Sequence, residues 1–244
     1  MMYLTEVNTI DVIKKQLKFK LYANSGAFTS LMITQFIALL FSLAGVGSMG
    51  AGSDWYSISV KQYSADIIIA FTIIWGFITA TIITTKAYRY DDFTFVSNRL
   101  TSNLSNVLFI ILASGIGGVS AMLLGGLLKV IVYFWFGADQ LINATSSVSD
   151  LIIGLFVSFL YVLLFSAIGY FIGTLCQLHR LVVFFIPILF FGSLFLGGSI
   201  IGIDQLAAFF FVERSLLLFT VKAMITVAIL FGSSVIMSKR LEVR

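Results

Sequence analysis

One histidine, one cysteine and one proline among 244 residues, with only 11% of side chains charged, leave little from which to build water-facing chemistry. The lone cysteine, Cys176, excludes an intramolecular disulfide and any cluster of thiolate metal ligands. The lone histidine, His179, sits in a four-residue polar turn, so no Ser-His pair can be assembled from it within an apolar segment. No HExxH run is present, and no GxxxxGK[ST] loop, so the chain cannot bind and hydrolyse ATP through a phosphate loop of its own. With Pro187 as the single proline, most helices escape a proline kink. The net charge of +4 is spread along the chain and forms no basic stripe, which excludes a nucleic-acid surface.

Apolar length is what the chain has in abundance. Hydrophobic residues reach 59%, and a soluble domain of this size could not cover itself with the polar groups that remain. Six apolar stretches, 28–49, 66–84, 107–128, 151–176, 181–202 and 216–237, each approach the roughly 20 residues needed to cross about 30 Å of hydrocarbon. The expectation is an all-α membrane protein of six transmembrane helices. The first 25 residues are too polar to hold the apolar core of a signal peptide, so the first span is expected to direct insertion.

Charge orients the spans. With the N-terminus inside, Lys14, Lys15, Lys18, Lys20, Lys86, Arg89, Arg99, Arg180, Lys239, Arg240 and Arg244 all fall on the cytoplasmic side, eleven of the fifteen basic residues. Lys61, Lys129, Arg214 and Lys222 remain for the other side, and both termini are expected to be cytoplasmic. Residues 6–24 read as an amphipathic helix: Val7, Ile10, Ile13, Leu17 and Leu21 recur at spacings of three and four, with the lysines opposite. Such a helix lies in the interface, its basic face against anionic headgroups.

The gaps differ in character. Residues 50–65 read as a short outer loop, and 137–150 as an exposed one rich in Ser, Thr and Asn. Between the fifth and sixth spans, 206–212 is apolar yet too short to cross, which fits a re-entrant or interfacial segment. Gly117, Ala121 and Gly125 step by four, as do Gly169 and Gly173, and Gly198 and Gly202, and these stripes read chiefly as helix-packing seams. Asp54, Asp66, Asp139, Asp150, Asp204 and Glu213 all sit at span ends or in outer loops, so no carboxylate pair stands at mid-membrane for a proton relay. Within the spans the polar candidates are Gln35, Lys222 and several Ser and Thr.

The inner loop 85–106 is the longest on its side. Asp91 and Asp92 precede Phe93, Val96, Leu100 and Leu104, which step by three, four and four and so share one face of a short helix capped by Asp92, with Arg99 directed away. That helix either rests on headgroups or fills a groove on a cytosolic partner. An entry helix, six spans with both ends inside, a helix between spans two and three and a part-apolar stretch between spans five and six resemble the permease subunits of type-2 ABC exporters. Asp91, Asp92, Phe93 and Arg99 stand where that family carries an acidic residue and a helix ending near a basic one, although Ser97 and Asn98 replace its usual loop proline.

The resemblance implies a single permease domain over 1–244 in a bacterial cell membrane, with 85–106 as the coupling loop and Asp91, Asp92, Phe93, Val96, Arg99, Leu100 and Leu104 as its ATPase contacts. It further implies a cytosolic ATP-binding subunit that holds ATP and Mg, a second permease copy or similar permease, and no cofactor bound by this chain itself. The implied cargo is hydrophobic or amphipathic, a peptide among small bacterial members. Other readings remain open at this point: the substrate-binding membrane component of a vitamin-uptake system, a non-transporting immunity or sensor protein, and a membrane enzyme.

Overall fold

The structure, a computed structural model, describes residues 9–45, 47–53, 56–88, 99–137, 147–178, 182–183, 203–213 and 215–238. Along them run α1 (Thr9–Ala23), α2 (Ser25–Leu43), β1 (Gly47–Ser53), β2 (Tyr56–Gln62), α3 (Asp66–Ile83), α4 (Arg99–Phe136), α5 (Val148–Leu178), α6 (Ile203–Phe211) and α7 (Leu216–Ser238). Five of these, α2, α3, α4, α5 and α7, are long and apolar enough to cross a membrane, so the fold is helical and the protein multi-pass. Apart from 182–183, the expected span 181–202 lies outside the described residues, and with it Gly198 and Gly202.

Local chemistry sets the helix ends. α2 stops at Leu43, short of the expected 49, because Gly45 takes a φ of 93° that a side chain would resist. The N–H groups of Ala44 and Gly45 close the last turn onto the carbonyls of Phe41 and Ser42, each at 3.1 Å. The chain then enters a hairpin where an irregular loop was expected: β1 and β2 pair antiparallel from Gly47 opposite Gln62 to Ser53 opposite Tyr56. The alternation Tyr56-Ser57-Ile58-Ser59-Val60 is the strand signal. Ahead of α5, the Ser147 N–H donates to the Asp150 carboxylate at 3.1 Å, half of a capping box that starts the helix three residues before the expected 151.

The largest departure is α4. A span was expected over 107–128, but one helix of 38 residues runs from Arg99 to Phe136, and residues 99–106 form its first two turns. At 1.5 Å per residue it measures about 57 Å, well beyond the hydrocarbon thickness of about 30 Å. Gly137, with φ of 86°, ends it by donating its N–H to the Tyr133 carbonyl at 3.2 Å.

Two compact units make up the chain. One comprises Met1–Leu21, Phe77–Ile110 and Leu164–Arg244, and the other Tyr22–Gly76 and Ile111–Leu163. In the first, α5 packs directly on the backbone of α3. A Cβ added to Gly169 would stand 2.3 Å from the Phe77 carbonyl oxygen, and one on Gly173 would stand 2.2 Å from the Thr84 hydroxyl oxygen. The Thr81 hydroxyl bridges the same seam, donating to the carbonyls of Phe77 at 2.9 Å and Gly169 at 3.1 Å. α7 joins this unit along a narrow stripe of Phe219, Ala223, Val227, Phe231, Ser234 and Ser238.

In the second unit the core is Ala38, Leu39, Ile68 and Ala121. Here the small residues of α4 admit neighbours on two sides. Gly117 lies against Thr72 and Trp75, Gly125 against Ala65, and Gly118 against the backbone of Phe159, where a Cβ would meet the amide nitrogen at 2.9 Å. The glycine seams of the third and fourth spans therefore do what small-residue stripes do in lipid, where close van der Waals approach replaces the hydrophobic drive.

Candidate functional site

Polar side chains inside an apolar bundle are expensive to bury, so their positions mark where the fold is doing more than packing. In the first unit they gather on the opening turns of α4. Thr101, Ser102, Asn103, Ser105 and Asn106 are all buried, while Leu100 and Leu104 are exposed at 46% and 40%. This is a helix turned inside out, with amides and hydroxyls inward and leucines outward. Buried in this way, the inward polar groups must find one another.

They do so through three other helices. Lys20 of α1 is 5% exposed, and its ammonium donates to the Asn106 side-chain oxygen and, at 3.3 Å, to the Ser102 carbonyl. The Tyr170 hydroxyl of α5 donates to the Asn103 side-chain oxygen at 3.1 Å. The Asn103 amide nitrogen in turn donates to the Ser238 hydroxyl of α7 at 2.9 Å. The Tyr170 ring meets Phe231 edge-on at 5.8 Å, which fixes the hydroxyl's approach. The start of α4 is thus a polar hub holding α1, α5 and α7.

α1 departs from the expected pattern at Lys20. Its buried face is Ile13, Gln16 and Lys20, whereas Ile10 is 59% exposed and Lys20 leaves the lysine face on which it was expected. Lys14, Lys15 and Lys18 are exposed as anticipated.

The second unit holds a knot around Gln35. Its side-chain nitrogen lies 3.1 Å from the Thr72 hydroxyl, 2.9 Å from the Ser120 hydroxyl and 3.3 Å from the Gly117 carbonyl, joining α2 to α3 and α4. Trp75 adds a second tie, its indole N–H facing the Ala27 carbonyl at 3.1 Å and the Ser30 hydroxyl at 3.0 Å. Gln35 was singled out from the sequence, but its partners were not, since a lone Ser or Thr in a span carries no signal of what faces it.

In the first unit again, Lys222 of α7 forms an ion pair with Glu213 and sits 4.1 Å from the centroid of the Phe209 ring of α6. From the sequence, snorkelling to the surface and a functional role explain this lysine about equally well. Instead a carboxylate and an aromatic face hold it, both from the short segment preceding its helix. Phe211 of the same α6 reaches Phe165 of α5, ring centroids 6.5 Å apart, so the part-apolar stretch at 206–212 is a docked helix.

Of the residues expected to contact an ATPase, Asp91, Asp92, Phe93 and Val96 lie outside the described residues, and Arg99 is described only as the first residue of α4. Leu100 and Leu104 belong to α4, where they begin an exposed apolar file that continues through Leu108, Leu112, Ile116, Val119, Leu123 and Leu127. No protein-family model, curated protein or solved structure matches the chain.

Proposed function

We propose that this protein is the permease subunit of an ATP-driven exporter in a bacterial cell membrane, with both termini and residues 85–98 on the cytoplasmic side. It would move a hydrophobic or amphipathic cargo, with a peptide as one candidate, through a path completed by a second copy or a similar permease. ATP and Mg belong to a separate cytosolic subunit, since the chain has no phosphate loop.

The observation that carries the reading is the hub at the start of α4. Any partner seated on residues 91–98 pushes directly on Arg99 and the turns that follow. Through Asn106, Asn103 and the Ser102 carbonyl, those turns are tied to α1, α5 and α7. A displacement of one loop then becomes a displacement of several helices, which is what an energy-transducing permease requires. Isolation in mild detergent tests this. An ATP-binding protein should co-purify, and Asn103→Ala should leave that association intact while lowering transport-linked ATP turnover. Recovery of the chain with no ATP-binding partner would remove the reading.

One observation favours a second reading. The exposed file on α4 extends the 93, 96, 100, 104 periodicity without a break, as a lipid-facing stripe would. On that basis residues 93–104 need no protein partner, and the chain is a non-transporting membrane protein of the immunity or sensor kind.

A further inference from the structure

α1 is seated on a largely polar face of Ile13, Gln16 and Lys20. Gln16 and Lys20, one turn apart, are both at least nine-tenths buried, while Ile10 and Tyr22 are 59% and 73% exposed. Lys20 is bonded to the start of α4, yet neither the nitrogen nor the oxygen of the Gln16 carboxamide has a hydrogen-bonding partner. A buried amide stripped of water at both atoms opposes the arrangement that buries it. The two residues therefore pull in opposite directions: Lys20 holds α1 down, and Gln16 drives it off.

The surroundings make release inexpensive. Beneath Lys20 lie the Ser102 carbonyl and the Asn106 carboxamide, groups that water solvates as readily as an ammonium does. Of the buried residues of α1 only Ile13 is apolar, so release exposes one isoleucine where the separation of two leucine faces would expose many apolar side chains. A pivot is present as well. Between α1 and α2 stands the single residue Asn24, at φ −96° and ψ 27°, with no side-chain bond capping the helix that follows. Lys14, Lys15 and Lys18 already face outward and stay with the headgroups whether or not the inner face is seated.

We propose that α1 is a reversible strap, exchanging between the seated position and a released one in which Gln16 is hydrated, with the Lys20–Asn106 bond as its latch. The released state frees the first turns of α4 from their tie to Lys20 and leaves the ties to Tyr170 and Ser238 in place. This does not rest on the exporter reading and can be tested without any ATPase.

The test is amide hydrogen exchange on the full chain in nanodiscs of phosphatidylcholine and phosphatidylglycerol. Exchange of α1 is compared with that of α4 residues 108–116 in the same sample. Gln16→Met, which keeps the length of the side chain and removes its polar atoms, should slow α1 exchange about tenfold, with Gln16→Leu acting in the same direction. Asn106→Ala should speed α1 exchange by a similar factor while residues 108–116 keep their rate, which also shows that the variant is folded. Gln16→Met with α1 exchange unchanged or faster would overturn the proposal, because removing an unpaired buried amide must then bring no gain to the seated state. Asn106→Ala with α1 exchange unchanged would equally overturn it, since the latch would be elsewhere.

Discussion

The Gln35 side-chain nitrogen donates to the Thr72 hydroxyl at 3.1 Å because Thr72 has already committed its own hydrogen, to the Ile68 carbonyl at 2.7 Å. Ser120 does the same with the Gly117 carbonyl at 3.1 Å. Both hydroxyls therefore present lone pairs to α2, and the orientation of the Gln35 amide follows from theirs. Replacing Gln35 with Leu strands no donor, since the two hydroxyls keep their helix carbonyls. The expected loss is small, about 0.5–2 kcal/mol, in the range measured for hydrogen bonds between membrane helices. Gln35→Ala should cost more by opening a cavity. Denaturation midpoints in detergent would show the order, and equal midpoints for wild type and Gln35→Ala would contradict it.

The glycines divide sharply. Gly169→Ala drives a methyl group into the Phe77 carbonyl of α3 and Gly173→Ala drives one into the Thr84 hydroxyl just past its end, so each should destabilise by more than about 2 kcal/mol and lower the folded yield. Gly26 and Gly232 sit in helices with nothing within 4 Å of an added Cβ. Gly26→Ala and Gly232→Ala should each be neutral or stabilising by up to about 1 kcal/mol, the gain of helix propensity alone. Thermal denaturation of the four variants side by side makes the comparison internal. Similar effects across all four would mean that α3 and α5 do not meet at these glycines.

How far the sequence could be read follows from what lipid does to the usual signals. Length and hydropathy located α3, α5 and α7, and the start of α2, to within a few residues, because those quantities are set by bilayer thickness. The glycine stripes of α4 and α5 named their seams for a similar reason: a helix cannot approach another's backbone unless its own surface is bare there. The start of α4 was not legible as part of a span: Thr101–Ser102–Asn103 followed by Ser105–Asn106 reads as loop polarity, whereas these side chains are buried, and Leu100 with Leu104, read as a face for headgroups or a partner's groove, are exposed on this chain. Lys20 was grouped with its neighbouring lysines for want of any local cue, its partners Ser102 and Asn106 being more than eighty residues away. The hairpin was missed through neglect of the period-two alternation at 56–60.

Lys222 and Glu213 should behave as a pair. Each is only partly exposed, 26% and 19%, so removing one leaves the other incompletely solvated beside apolar α6. Lys222→Met and Glu213→Gln are each expected to destabilise the chain, and the double variant to lose less than the sum of the two. A double-mutant cycle on thermal stability isolates that coupling. Strict additivity would mean that the contact contributes nothing, and Lys222 would revert to a snorkelling residue.

The coupling reading meets its sharpest trial at Leu100, which two hypotheses claim for different surroundings. Seated in an ATPase groove, Leu100→Asp and Phe93→Asp each place a charge in a protein contact, and association with the ATPase should fall by several kcal/mol, about a thousandfold or more. Folding and insertion should survive, because the rest of α4 is untouched. Facing lipid, Leu100→Asp should instead resemble Leu112→Asp, further along the same exposed file. A charge at the centre of a span costs about 2.5–3.5 kcal/mol on insertion and reduces the amount of chain in the membrane. Comparing membrane yield with ATPase capture for the three variants separates the two. A Leu100→Asp protein that inserts normally and has lost its ATPase places this turn in a protein groove. One that tracks Leu112→Asp in yield and captures the ATPase as well as wild type does places it in lipid, and the exporter reading then loses the contact on which energy transfer depends.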